Sequence, residues 1–273
     1  MKKALNAISA IDLLFILLIC ISSAISSAVV SDAVYYLSFV ICALLGISYI
    51  RKSRPYTENE RSVYWRLDKR SASFSLPLIF PVILTIICIS LAATALASSF
   101  GISRDTDMTF SAITVITHAV IPAVAEEILF RYIPLKILLP YSRRYAILIS
   151  ALYFALVHND LFAIPYAFAA GILFALIDEK CESVIPSVTI HFVNNLLSIL
   201  LLSVSSESVQ AMILRAILLL TLVSIFFIAK NKSEYSTFAA PLFEKREGEE
   251  KIGLTPLPLA AVSLTLALSA LIF

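Results

Sequence analysis

Apolar residues fill this chain in long blocks, and short polar stretches separate them. Blocks of about 20 apolar residues are long enough for an α-helix to cross a bilayer. Short alternating strands, which a membrane β-barrel would need, are not seen in the pattern. We therefore predict eight or nine transmembrane helices. They lie near residues 8–30, 33–50, 76–99, 110–138, 144–159, 162–178, 184–204 and 208–229, and 254–273 is a ninth span or an interfacial helix.

Composition supports an all-α, polytopic transmembrane helix bundle. The 273 residues are 60% hydrophobic and only 15% charged, and the mean hydropathy is +0.93. Soluble domains carry about 25% charged residues. The N-terminal run also has features of a signal peptide. Its length and the presence of Asp12 favour a first span that is retained.

The basic residues are clustered, although the net charge is only +2. Clusters of Lys and Arg beside spans mark cytoplasmic loops. They predict a multi-pass protein of the cell membrane with a cytoplasmic N-terminus, in contact with lipid and not with nucleic acid. The chain divides into two N-terminal spans with a basic loop (1–75), a membrane core (76–229) and a charged tail with a terminal apolar segment (230–273). The clusters are Arg51, Lys52, Arg54, Arg61, Arg66, Lys69 and Arg70, then Lys136, Arg143 and Arg144, and the tail over 230–251.

The four cysteines predict neither disulfides nor a metal knuckle. They show no CxxC spacing, and three of them lie inside apolar runs. We interpret them as small buried hydrophobic residues. They are Cys20, Cys42, Cys88 and Cys181.

One predicted span carries the stretch AEEILFR, which places two carboxylates and a guanidinium in the membrane. Glu127 and Arg131 are four residues apart, so they can form an ion pair along one helix face. Glu126 points about 100° away and has no cation three or four residues later. We therefore predict that Glu127 has a structural role and that Glu126 is available as a general base.

Histidine and asparagine residues occur in two further predicted spans. His158 follows Phe154 by one turn, and His191 precedes Asn195 by one turn. Spacing alone leaves Asn194 open as an alternative to Asn195. Polar groups on different membrane helices tend to face one another inside the bundle. The sequence therefore predicts an intramembrane polar cavity that holds a base, imidazoles and an amide, the groups needed to activate water and stabilise an oxyanion.

Pro122 lies one turn before Glu126, where a proline removes a helical hydrogen bond and predicts a kink. Counted along straight helices, Glu126 and His158 lie about 22–25 Å from the cytoplasmic end and His191 only about 8–14 Å. Straight helices would thus not bring the three residues to one level. His118, in the same span as Glu126, belongs to no motif, and we interpret it as interfacial or structural.

Three motifs resemble those of the CPBP family of CAAX proteases and bacteriocin-processing enzymes. EEILFR is similar to the family's EExxxR, Phe154 to His158 resembles FxxxH, and His191 to Asn195 resembles HxxxN/D. They occur in the family's order between residues 126 and 195, within a core of roughly 75–230. The family consists of intramembrane endopeptidases and includes the type II CAAX prenyl endopeptidases.

The resemblance implies a role for each matching residue. Glu126 would be the general base for a catalytic water, which His158 would help to bind. His191 and Asn195 would stabilise the oxyanion, and Glu127 with Arg131 would form the supporting ion pair. The substrate would be a membrane-associated protein or peptide, whether a prenylated CAAX tail, a bacteriocin, a leader peptide or an anchored protein.

Three alternatives stay open at this point. A glutamic-type mechanism without a cofactor is favoured, but Glu126, His158 and His191 could instead hold zinc and leave one position for water. A proton- or cation-coupled transporter could use Glu126 as its ion site. A catalytically silent membrane scaffold would use none of these groups chemically.

Overall fold

The computed structural model describes residues 1–53, 63–102, 108–158, 162–243 and 258–264. Within these ranges the chain is all-α, as predicted. A short helix, Lys232–Tyr235, follows the eight main helices, and residues 258–264 are helical as well. The main helices are α1 (Lys2–Ser23), α2 (Ala28–Ser53), α3 (Lys69–Ser99), α4 (Ala112–Leu138), α5 (Arg143–Leu156), α6 (Ile164–Cys181), α7 (Ile185–Ser203) and α8 (Glu207–Lys230).

Six of the helices in the described part are long and apolar enough to cross a membrane, namely α1 to α4, α7 and α8. This indicates a multi-pass membrane protein. The predicted spans at 144–159 and 162–178 correspond to α5 and α6, which are not among the six. Helix α5 has only 14 residues, and α6 ends in the charged sequence Asp178-Glu179-Lys180. The count of eight or nine spans therefore stays a prediction, and most of the segment 254–273 lies outside the described residues.

Helices α5 and α6 form a tightly packed hairpin. Gly171 on α6 lies against the backbone of Ala151 on α5, and a Cβ on Gly171 would come within 2.8 Å of the Ala151 Cα. Small residues allow this close approach of helices, which is a common way of packing in membranes. The hairpin also packs against α3 and α7. It thus forms the centre of the bundle.

Helix α4 contains two wide, π-helical turns, Ile116–Val120 and Ile128–Tyr132. Each is followed directly by a segment with proline in its first turn, Pro122 and Pro134 respectively. A proline has no N–H and its ring collides with the carbonyl one turn earlier, and a wider turn relieves that collision. The acidic pair lies between the two turns, and such turns are frequent at functional sites.

The two ends of the bundle differ sharply in charge. At the basic end, Lys136 Nζ donates a hydrogen bond to the Val63 carbonyl (3.3 Å) and Arg143 pairs with Glu179 at 2.7 Å. Helix α3 starts at this end, where the Ser71 N–H donates to the Asp68 carboxylate and lowers its pKa. The described Lys and Arg residues at this end are Lys2, Lys3, Arg51, Lys52, Arg66, Lys69, Arg70, Lys136, Arg143, Arg144, Lys180, Lys230 and Lys232.

The other end of the bundle is called the far end, and the loops there that join successive helices are called its links. The described parts of these links contain no Lys or Arg. These parts are residues 24–27, 100–102, 108–111 and 204–206. A hydrogen bond from the Ser22 hydroxyl to the Ser31 carbonyl, 2.7 Å long, joins α1 to α2 there. The helices thus alternate in direction between a basic end and an end without Lys or Arg in the described links.

The prediction for the cysteines is confirmed in part. All four are free, Cys42 and Cys181 are buried, and Cys20 is half-buried. For Cys88 the prediction of burial was wrong, because its side chain is exposed on α3. An apolar run does not show which face of a membrane helix points to lipid.

Candidate functional site

A cavity of about 640 Å³ lies between α2, α4, α7 and the tip of the α5–α6 hairpin. It contains the four residues that the motifs predicted as catalytic. It also contains residues near the far ends of α2, α4 and α7. The lining comprises Asp32, Tyr35, Tyr36, Met108, Ile113, Thr117, His118, Pro122, Glu126, His158, His191, Asn195, Ser198, Ile199 and Leu202.

The two adjacent glutamates lie in different environments. Glu126 lines the cavity and its side chain is 14% exposed, whereas the side chain of Glu127 is fully buried. The cause is helix geometry, since consecutive residues are rotated by about 100°. The cavity therefore reaches one carboxylate of the pair and not the other.

His191 lies between the two carboxylates. Its Nδ1 is 2.9 Å from Glu127 Oε1, and its Nε2 is 3.9 Å from Glu126 Oε2. Because a carboxylate accepts hydrogen bonds, Nδ1 carries a hydrogen, which leaves Nε2 as the nitrogen that faces Glu126. The Glu127 carboxylate fixes the orientation and the tautomer of the ring, as carboxylate partners of histidines do.

Arg131 compensates the charge of Glu127 at the carboxylate oxygen that His191 does not contact. Arg131 Nε lies 3.5 Å from Glu127 Oε2, and both side chains are fully buried. This is an ion pair without a well-formed hydrogen bond, since both atoms lack a hydrogen-bond partner within the described residues. Arg131 Nη1 donates instead to the Phe130 carbonyl (3.1 Å). The predicted pairing thus exists, but His191 is the closer partner of Glu127.

Phe154 connects the charged cluster to both histidines. The Arg131 guanidinium lies 4.1 Å from its ring centroid, which is cation–π geometry. The rings of His158 and His191 contact the same ring edge-on, with centroid distances of 5.0 and 5.7 Å. The Phe of the FxxxH pattern is therefore a packing surface shared by three functional side chains.

His158 lies at the tip of the α5–α6 hairpin. Its Nδ1 is 2.8 Å from the Phe154 carbonyl. A carbonyl only accepts, so Nδ1 carries the hydrogen and Nε2 offers a lone pair. His158 also lines the cavity, where such a lone pair can accept a hydrogen bond from water.

The structure distinguishes the two asparagines that spacing left open. Asn195 lines the cavity. Asn194 donates from Nδ2 to Asn195 Oδ1 at 3.3 Å, and it is not among the residues lining this cavity. Asn195 is therefore the amide that can reach a substrate there, and Asn194 orients it.

Glu126, His158 and His191 line one cavity even though straight helices predicted a mismatch in depth. Tyr64 N–H donates to the Glu182 carbonyl (3.0 Å) and Val184 N–H to the Tyr64 carbonyl (3.1 Å), which pairs the loop that contains Tyr64 with the link before α7. The packing of the helices thus brings the three residues to one cavity despite their different distances from the helix ends.

Sequence reasoning missed a second buried carboxylate in this region. Asp178 is fully buried near the end of α6. It accepts hydrogen bonds from the Ser187 hydroxyl (2.7 Å) and the Ser187 N–H (3.2 Å), which joins the end of α6 to the first turn of α7. The signal that could have identified it was an acidic residue at the end of an otherwise apolar block.

The zinc alternative stays open. No group of three or more His, Cys, Asp or Glu in the described part of the chain is placed to hold a metal ion, although Glu126, His158 and His191 line the same cavity.

A family model described as Type II CAAX prenyl endopeptidase Rce1-like matches residues 108–197. This segment is therefore similar to an Rce1-like domain. The resemblance predicted from the three motifs is confirmed over this range, which includes all of them. No curated protein and no solved structure gives a significant match.

The family whose model matches this segment consists of membrane endopeptidases. The match begins close to the first residue of α4 and ends within α7. It therefore covers the two helices that carry Glu126 and His191, as well as the hairpin between them. The boundaries at 75 and 229 lie outside the match and stay predictions.

Proposed function

We propose that this protein is an intramembrane endopeptidase that hydrolyses a peptide bond in a membrane-associated protein or peptide. Glu126 is the general base, and His158 helps to bind the water that Glu126 activates. His191 and Asn195 stabilise the oxyanion. Glu127 and Arg131 hold His191 in place. The proposal applies the activity of the Rce1-like family to the side chains that line the cavity.

The observation that carries the proposal is the placement of His191 between a buried and an accessible carboxylate. Glu127 orients the ring through Nδ1, and Nε2 points toward Glu126 at 3.9 Å. That distance is too long for a direct hydrogen bond. It leaves the Glu126 carboxylate free to take a hydrogen bond from a water molecule in the cavity.

The proposed chemistry begins with a water molecule that donates a hydrogen bond to Glu126. Glu126 takes the proton, and the oxygen bonds to the carbonyl carbon of the substrate. The Asn195 amide and a protonated His191 Nε2 donate hydrogen bonds to the resulting oxyanion. Glu126 then gives its proton to the leaving amine nitrogen as the C–N bond breaks.

The test compares the termini of membrane peptides in cells that express the wild-type protein or its Glu126→Gln variant. We expect specific new termini with the wild type that are absent with the variant. The matched control is Asp12→Asn, which makes the same chemical change at a buried carboxylate in α1. This control should leave the termini as in the wild type.

Two outcomes would contradict the proposal. If Glu126→Gln and His191→Ala both retain cleavage, the site assignment is wrong. If no termini depend on the protein, but it drives cation-coupled uptake in proteoliposomes that Glu126→Gln abolishes, it is a transporter.

Chelation tests the glutamic-type mechanism directly. We expect the purified protein to retain its cleavage activity after exhaustive treatment with a chelator, because Glu126 itself activates the water. Complete loss of activity that zinc restores would favour the metal-dependent alternative.

A further inference from the structure

The depth of the α5–α6 hairpin determines where the cavity lies. Helix α5 enters from the basic end, and its 14 residues rise only about 21 Å. A bilayer core is about 30 Å thick, so the hairpin does not reach the far end. His158 lies at its tip, and the space beyond the tip is part of the cavity.

The cavity continues from Glu126 to the far end of the bundle. Asp32 and Tyr35 line it from the first turns of α2, and Met108 from just before α4. Leu202 lines it from the last turn of α7. These positions all belong to the far end, so the cavity extends that far.

The floor of the cavity toward the basic end is closed. Glu127, Arg131, Asp178 and Ser187 are all fully buried there. Phe174 is buried as well, and its ring lies 5.8 Å from that of His191. Among the described residues, this cluster separates Glu126 from the basic end.

The charge difference between the two ends sets the orientation in the membrane. Loops rich in Lys and Arg stay in the cytoplasm, and loops without them cross to the other side. The described links at the far end contain no Lys or Arg, whereas seven of the eight main helices, all except α7, have a Lys or Arg at or near their terminus at the basic end. Arg104 belongs to a far-end link and lies outside the described residues.

We propose that the cavity opens to the extracytoplasmic side of the membrane. The substrate is then a polypeptide segment on that side, such as the juxtamembrane part of an anchored or exported protein. A tail that remains in the cytoplasm would meet the closed floor. The substrate class rests on the proposed protease function, whereas the direction of the opening rests on geometry and charge alone.

The first test labels single cysteines with a membrane-impermeant maleimide in intact cells. Cys20, Cys42, Cys88 and Cys181 are first replaced by alanine. Three exposed serines then serve as matched probes, each changed to cysteine in the full chain: Ser198 inside the cavity, Ser27 at the far end and Ser233 at the basic end.

We expect Ser27→Cys and Ser198→Cys to be labelled in intact cells, and Ser233→Cys only after the cells are permeabilised. Labelling of Ser198→Cys together with Ser233→Cys, only after permeabilisation, would overturn the inference. The protein in which all four native cysteines are alanine and no probe cysteine is added gives the background. The readout does not require proteolysis, so it decides the direction of the opening even if the proposed function fails.

The second test locates the cleavage sites. Termini that depend on Glu126 should fall on the extracytoplasmic side of the substrates. Termini that all fall on the cytoplasmic side would overturn the inference and leave the protease function intact. If no termini depend on Glu126, the protease function fails, and the labelling result stands independently.

Discussion

Glu126 and Glu127 are neighbours in the sequence, yet the protein places them in two different regions. Glu126 lies in a cavity with no Lys or Arg paired to it in the described structure, and Glu127 lies in a sealed cluster with Arg131 and His191. The imidazole of His191 contacts both regions, because its Nδ1 lies next to Glu127 and its Nε2 faces Glu126. A membrane protein can therefore keep a reactive carboxylate beside a compensated one, because a helix turns them to opposite sides of one histidine.

The largest effect is expected from removing the sealed carboxylate. Glu127→Ala leaves Arg131 buried without its charge partner, which costs about 3–5 kcal/mol in comparable buried pairs. Thermal unfolding in detergent should therefore show a markedly lower Tm, and Glu126→Gln should stay close to the wild type. Equal losses of stability in both variants would remove the distinction between the two regions.

An intermediate effect is expected from the asparagines on α7. Asn195→Ala removes the amide that lines the cavity and should lower kcat by about 10²–10³-fold, as loss of an oxyanion donor does. Asn194→Ala, the matched control, removes only a hydrogen bond to Asn195 and should lower kcat much less. Assays of the purified variants on one identified substrate would measure both. The reverse order would place Asn194 at the substrate.

The smallest effect is expected at Asp12, which is buried in α1 and whose carboxylate oxygens have no hydrogen-bond partner in the described structure. Asp12→Asn keeps the volume and breaks no hydrogen bond. The free energy of unfolding should therefore change by at most about 1 kcal/mol. A loss as large as that of Glu127→Ala, measured by the same thermal unfolding, would mean that Asp12 is also part of a charged cluster.

Most of the fold class could be predicted from the sequence, because a membrane span needs a long apolar block. The blocks correspond to α1, α2, α3, α4, α7 and α8, and the motifs pointed to the family over residues 108–197. The number of spans was harder to predict. Helices α5 and α6 are apolar, but their length and charge do not show how far they enter the membrane.

Of the contacts in the candidate site, the sequence predicted the one within a helix but not those between helices. The spacing of Glu127 and Arg131 indicated their ion pair, since residues four apart share a helix face. The bond between Glu127 and His191 joins residues 64 positions apart, and no local pattern encodes it. The bond between Asp178 and Ser187 was missed for a related reason, because it joins two different helices and no local pattern shows the partner of Asp178.

By itself, the sequence determined a helical membrane protein, the polar groups of the candidate site and the distribution of Lys and Arg along the chain. These follow from local properties such as hydrophobicity, helical period and the position of Lys and Arg. Only the tertiary structure decided that Glu126 is accessible, that Asn195 and not Asn194 lines the cavity, and that the cavity reaches the far end. Those outcomes depend on how deep each helix starts and which faces meet, and packing between distant segments sets both.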